Sequence, residues 1–263
     1  MEISVRGTAQ DGGVPHLGCS CPRCSLARSD PAAVRYPAAL RVDAGQSLLV
    51  DASMDVRHQI GGGVDGVLLT HAHLGHLPGI LQFGREVVDA DELPVYCTDG
   101  LAEFVQTNQP FAELVSNGNV TLRPIDGDAA IDLPGGEIRP FTVPHRDEFH
   151  TGTLGIECRG ERTLVYVPDI DVWDERTLSR VDAADVAVLD GTFWSDGEIP
   201  EQVDVPHPPV RDALDRLPLA GTAVYFTHLN HTNPLLDDDS PEYASLTEAG
   251  SNVVEPGETF DLG

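Results

Sequence analysis

The chain has 263 residues, 41% of them hydrophobic, enough to bury one large core. It carries 43 acidic residues against 16 basic ones, for a formal net charge of -27. That balance argues against a nucleic-acid binder, which needs basic patches to meet phosphates, and no apolar stretch reaches the roughly 20 residues that span a bilayer.

Every basic residue is Arg, and the acidity is spread along the chain apart from the run Asp237–Asp239. Dispersed carboxylates without Lys point to a halophilic surface, whose self-repulsion high salt screens. The opening MEISVRGTAQ lacks a basic segment followed by an apolar one. No secretion signal is therefore expected, and a cytoplasmic location is. The expected partner is a small-molecule substrate, with a homodimer left open and neither nucleic acid nor membrane involved.

Strand-like runs come at 2–7, 38–44, 47–52, 66–71, 94–99 and 120–125. Five more follow at 137–145, 152–158, 163–169, 185–191 and 222–228. Helix-like segments lie at 53–61, 77–88, 100–116, 172–182 and 208–216. Val95, Leu164–Val167 and Val224–Phe226 are apolar on both faces, as in sheets covered on both sides. No linker or repeat divides the chain, so 1–263 reads as a single α/β (α+β) domain. Two facing sheets with helices outside satisfy the pattern.

Polar residues end several of these apolar runs: His71 after VLLT, His145 after FTVP, Asp169 after LVYVP, Asp190 after VAVL and His228 after VYFT. Side chains in loops at one edge of a sheet can converge without flexible segments. In HAHLGH, His71 and His73 are two apart, so one extended loop can aim both rings together. His76 begins the segment LPGILQFGREVV and can point back to the same pocket. Three histidines within six residues after a buried strand are read as metal ligands.

Five cysteines are present. Cys97 and Cys158 sit in apolar runs and read as buried thiols. Cys19, Cys21 and Cys24 are crowded into one loop. Thiolates so spaced favour zinc, and a fourth ligand would close a structural tetrahedron.

The stretch HAHLGH after a strand resembles the metallo-β-lactamase superfamily, whose hallmark is His-x-His-x-Asp-His. The resemblance covers nearly the whole chain and implies an αββα sandwich with a metal centre at one sheet edge. It assigns His71, His73 and His145 to a first ion. His76 and His228 go to a second ion, and Asp169 bridges both. Asp169 and His228 are the catalytic residues it implies. Gly75 departs from the hallmark, so weaker binding or single occupancy of the second site is expected.

The stretch GTAQDGGVPHLGCSCPRCS (7–25), with ASMDVRHQI, LDGTFWSDGE and HLNHTNPLL, resembles the coenzyme PQQ (pyrroloquinoline quinone) synthesis protein B family. The Cys motif also resembles the cyclic phosphodiesterase of phosphonate breakdown. There, a histidine three residues after the last active-site His closes a structural zinc site. His231 matches it, so Cys19, Cys21, Cys24 and His231 form the implied structural Zn2+ site.

Around this frame, Asp51 and Asp190 are candidates to orient metal-bound histidines, with a turn or cap role open for Asp190. His150 and His207 are loop histidines, each either a general acid or a surface residue, and His150 is the one expected among the catalytic residues. Arg146 either holds an anionic substrate group or faces solvent. Asn230 and Asn233 are expected to shape the turn after His228.

The function expected is metal-dependent hydrolysis of a phosphodiester or ester by a metal-activated hydroxide, with one or two Zn2+, Mn2+ or Fe2+ ions. The alternatives are an iron-dependent oxygenase acting on a tyrosine-derived PQQ precursor and a non-catalytic metal-stabilised module.

Overall fold

The structure is a computed structural model that describes residues 1–125, 129–198, 206–217 and 219–263. Its first half contains β1 (Glu2–Gly7), α1 (Pro22–Ser29), β2 (Ala39–Asp43), β3 (Ser47–Val50), α2 (Val56–Gln59) and β4 (Gly66–Leu68). β5 (Leu93–Cys97), α3 (Asp99–Thr107), α4 (Phe111–Ser116) and β6 (Val120–Pro124) complete that half. The second half runs β7 (Ile131–Leu133), β8 (Gly136–Thr142), β9 (Leu154–Arg159), β10 (Thr163–Val167), α5 (Glu175–Asp182) and β11 (Val186–Asp190). It ends with α6 (Val210–Ala213), β12 (Ala223–Thr227), α7 (Pro241–Glu248), β13 (Asn252–Val253) and β14 (Thr259–Asp261).

These strands form two seven-stranded sheets, ordered β14-β1-β2-β3-β4-β5-β6 and β13-β12-β11-β10-β9-β8-β7. β3 to β6 run parallel, as do β10 to β13, while the remaining pairings are antiparallel. Side-chain alternation shows why both faces are apolar. On β10, Leu164 and Tyr166 enter the layer between the sheets, with Ile3, Leu40, Val42 and Ile156. Val165 and Val167 face the other way, toward Val181 of α5, Val210 and Ala213 of α6 and Leu246 of α7. The first sheet repeats this scheme. Leu49, Val67 and Val95 pack outward on Val56 of α2, Leu101 and Val105 of α3 and Leu114 of α4. The fold is thus an αββα sandwich, as expected.

The eleven expected strands are all present. The short β7, β13 and β14 are additional. The expected helix at 100–116 is two helices, broken before Pro110, which has no N–H to continue the ladder. The segment 77–88 is a 3-10 helix over Pro78–Phe83 rather than an α-helix. Gly79 lies so close to residues 52–53 that a Cβ there would fall 2.0 Å from the Ser53 carbonyl oxygen. α1 and α7 were not expected. Oxygen caps fix several helix starts: Thr98 accepts from the Leu101 N–H, Asp174 from that of Thr177 and Ser240 from that of Tyr243. Each such cap contributes about 1 kcal/mol. Among the described residues, no helix is long and apolar enough to cross a membrane.

Candidate metal centre

The carboxyl ends of β3, β4, β10, β11 and β12 open onto one place, where an open α/β sheet exposes loops for ligand binding. The first group there is His71, His73 and His145. His73 Nδ1 lies 2.9 Å from His71 Nε2 and 3.2 Å from His145 Nε2. Ring nitrogens this close repel unless a proton or cation sits between them. Metal–nitrogen bonds of about 2.0–2.1 Å put tetrahedral ligand atoms roughly 3.3 Å apart, and the three rings meet that spacing.

The second group surrounds Asp169 Oδ2, which lies 3.2 Å from His76 Nε2 and 3.3 Å from His228 Nε2. All three atoms are buried without a hydrogen-bond partner. A buried polar atom left unpaired costs about 1–3 kcal/mol, so three orphans aimed at one point fit a shared cation. Asp169 also faces the first group, with His145 Nε2 3.8 Å from Oδ1 and His71 Nε2 4.0 Å from Oδ2. Its carboxylate is therefore placed to bridge. The residues fit divalent ions at both groups.

The backs of the rings are held by oxygen. His76 Nδ1 donates to Asp51 at 2.8 Å and His145 Nδ1 to Asp171 at 2.7 Å. His71 Nδ1 donates to Thr70 Oγ1 at 2.9 Å, and that hydroxyl donates on to Asp51. His228 Nδ1 meets Thr192 Oγ1 at 2.8 Å, and that hydroxyl donates to Asp190. His73, which uses Nδ1 inward, has Nε2 3.1 Å from Glu148. Such partners fix the tautomer and raise ligand basicity. Asp51 and Asp190 thus orient histidines, as expected, and Asp190 also caps the turn by accepting from the Thr192 N–H. Asn233 braces that turn by donating to the Gly191 and Thr192 carbonyls.

Burial drives the pKa of His71 well below the ordinary histidine value, and burial likewise lowers His145 and His228. Neutral rings are what metal ligation requires. Burial also opposes charge on His76, but Asp51 and Asp169 outweigh it and hold that pKa well above normal. Asp169 is pushed up by burial yet lies well below the carboxylate range, because His228, His76 and His71 surround it.

His150 stands apart from this convergence. It is exposed, on the loop between β8 and β9, with a left-handed backbone (φ 56°). The histidine that reaches the centre is His207, whose Nδ1 donates to Asp190 at 2.7 Å. Its ring centroid is 5.5 Å from that of His145 and 5.7 Å from that of His228. Burial lowers its pKa, but Asp190 overrides this and raises it to about 9. Arg146 pairs with Glu148 at 3.4 Å. The sequence reading missed Thr70, Thr192, Glu148 and Asp171 as supporting partners, and it missed Asp11, whose carboxylate reaches within 3.5 Å of His76 Nε2. Hydroxyls and carboxylates scattered through loops carry no motif that marks them.

At the neighbouring wall Cys19, Cys21, Cys24 and His231 bring four ligand atoms within 4.8 Å of one another. The Cys19 and Cys21 sulfurs lie 3.7 and 3.8 Å from His231 Nδ1. The backbone N–H groups of Cys21, Cys24 and His16 point at the Cys19, Cys21 and Cys24 sulfurs respectively. This donor set fits a closed tetrahedral zinc site, with metal–sulfur bonds of about 2.3 Å.

A family model described as a beta-lactamase superfamily domain matches residues 43–229. The chain belongs to this superfamily. It is 29% identical to coenzyme PQQ synthesis protein B of Methylobacterium radiotolerans, with all of both chains covered. The zinc-bound PqqB structure from Methylobacterium extorquens superposes with a TM-score of 0.85 at 26% identity, again over the whole of both chains. A diphosphatase of the PhnP family shares the fold, with a TM-score of 0.72 at 22% identity over 99% of this chain and 97% of that one.

Proposed function

We propose that this protein is a divalent-metal-dependent hydrolase acting on a small phosphodiester or ester. One observation carries the reading: His76 Nε2, Asp169 Oδ2 and His228 Nε2 are buried, unpartnered and aimed at one point beside the His71–His73–His145 face. When bound, divalent ions supply a water acidic enough to attack near neutral pH and polarise the bond under attack.

The chain's own residues do the rest. Asp169, between both groups, orients the attacking water and accepts its proton. His145 and His71 are locked by Asp171 and Thr70, so the site does not reorganise during reaction. His207, fixed by Asp190 and held protonated by it, with its ring beside those of His145 and His228, delivers a proton to the leaving oxygen. It takes the general-acid role in place of the exposed His150. Leu74, Phe149 and Val172 are exposed on the loops that carry His73, His145 and Asp169. Apolar side chains on these loops, on a chain of charge -27, suit a substrate with an apolar portion and little net charge. The Cys19–Cys21–Cys24–His231 group takes a structural zinc.

In high salt with zinc or manganese, turnover of cyclic and linear phosphodiesters and of esters is expected, with its loss in His73→Ala. Unchanged turnover in that variant contradicts the proposal. A second reading, iron-dependent oxygenation of a tyrosine-derived precursor, is supported by the full-length similarity to coenzyme PQQ synthesis protein B. Iron in anaerobically purified protein together with substrate-linked O2 uptake favours it, and zinc or manganese with phosphodiester cleavage opposes it.

A further inference from the structure

The second ion has a gap in its ligand set, because Gly75 has no side chain where the superfamily motif has a carboxylate. We infer that Asp11, from the N-terminal loop and 64 residues away in sequence, supplies that carboxylate. This rests on the two-ion reading above.

The geometry is specific to that position. A Cβ built on Gly75 would lie 2.3 Å from Asp11 Oδ1, 2.9 Å from Asp11 Cα and 3.2 Å from Asp11 Cγ. A side chain at 75 and the carboxylate at 11 therefore exclude each other. The Gly75 N–H donates to Asp11 Oδ1 at 2.9 Å, which fixes the carboxylate over the glycine. The same oxygen lies 3.5 Å from the orphaned His76 Nε2. Asp11, His76 and His228 each bring a ligand atom within 4.8 Å of the others. With Asp169, the donor set becomes two imidazoles and two carboxylates, a set that suits a divalent ion and, on an ion that takes five or six ligands, leaves room for water.

The backbone explains how a residue so distant arrives there. The Leu229 N–H donates to the Thr8 carbonyl at 2.9 Å and the Gln10 N–H to the Leu229 carbonyl at 3.0 Å. The loop carrying Asp11 is thus bridged to the residue after His228. A few residues on, Cys19, Cys21 and Cys24 converge with His231. The loop is anchored on both sides of Asp11.

The test compares metal content per chain, by elemental analysis after dialysis against a weak chelator, with zinc titration of metal-free protein. Asp11→Asn, nearly isosteric, is expected to lose one ion or to bind it at least about 10-fold more weakly. Gly75→Asp alone places two carboxylates in one space and is expected to lose that ion too. The double variant Asp11→Gly/Gly75→Asp moves the ligand across the gap and is expected to restore the ion. Full ion content and affinity in Asp11→Asn, or a double variant no better than Asp11→Asn, overturns the inference. If the unsubstituted protein holds only one ion among the histidines, the two-ion reading itself falls, and this inference with it. If Asp11→Asn loses an ion but no hydrolysis is found in the parent, the ligand stands and only the activity reading fails.

Discussion

At the edge of the first sheet Asp51 receives hydrogen bonds from Thr70 and His76, and Thr70 in turn holds His71. At the edge of the second, Asp190 receives them from Thr192 and His207, and Thr192 holds His228. Each edge thus has one carboxylate, one threonine and two histidines. The outcomes differ. On the first edge both rings turn inward to Asp169, at 4.0 Å from His71 and 3.2 Å from His76. On the second, His228 does so at 3.3 Å, while His207 keeps Nδ1 on Asp190 and offers a ring nitrogen within 4.8 Å of both Asp169 and His228. In the proposed reading the same side chains supply two ion ligands on one side, and an ion ligand plus a proton donor on the other. Function here follows from which ring nitrogen is left free and what it faces.

Substitutions can break this contrast, beginning with the carboxylate that both edges share. Asp169→Ala should lower turnover by about 1,000-fold or more and strip metal from the histidines, read by kinetics with elemental analysis. Next come the two unequal histidines. His207→Gln should cut kcat by about 100-fold or more while the ion content holds, whereas His76→Ala should lose an ion. Equal ion loss in both would make His207 a ligand and erase the distinction. A smaller effect is expected behind the rings: Asp51→Asn should weaken metal binding by about 10–100-fold in zinc titrations. Asp190→Asn should show more of its loss in kcat. The mildest change is Thr70→Val against Thr192→Val. Each removes a hydroxyl bridge between buried groups and leaves a ring nitrogen unpaired, which should cost about 1–3 kcal/mol in unfolding of the metal-loaded protein.

Much of this was legible in the sequence for a physical reason. Central strands such as β10 and β11 bury both faces, so their apolar runs stand out, and the polar residue that ends each run marks the sheet edge. β13 and β14 have two and three residues, too few for any period to show. α1 buries only Cys24 and Ala27, and α7 only Leu246, so neither carries an apolar stripe. The histidine motif was visible because three histidines share one loop. Asp11 was not, because its relation to Gly75 exists only once the N-terminal loop lies against the end of β12. His150 and His207 looked alike as loop histidines, and only the Asp190 contact separates them.

The most direct measurement is anomalous diffraction at the zinc edge from crystals of the zinc-loaded protein. The account predicts one peak among His71, His73 and His145 and a second beside His76 and His228, with Asp169 between them. A map without density among the first three rings would contradict it.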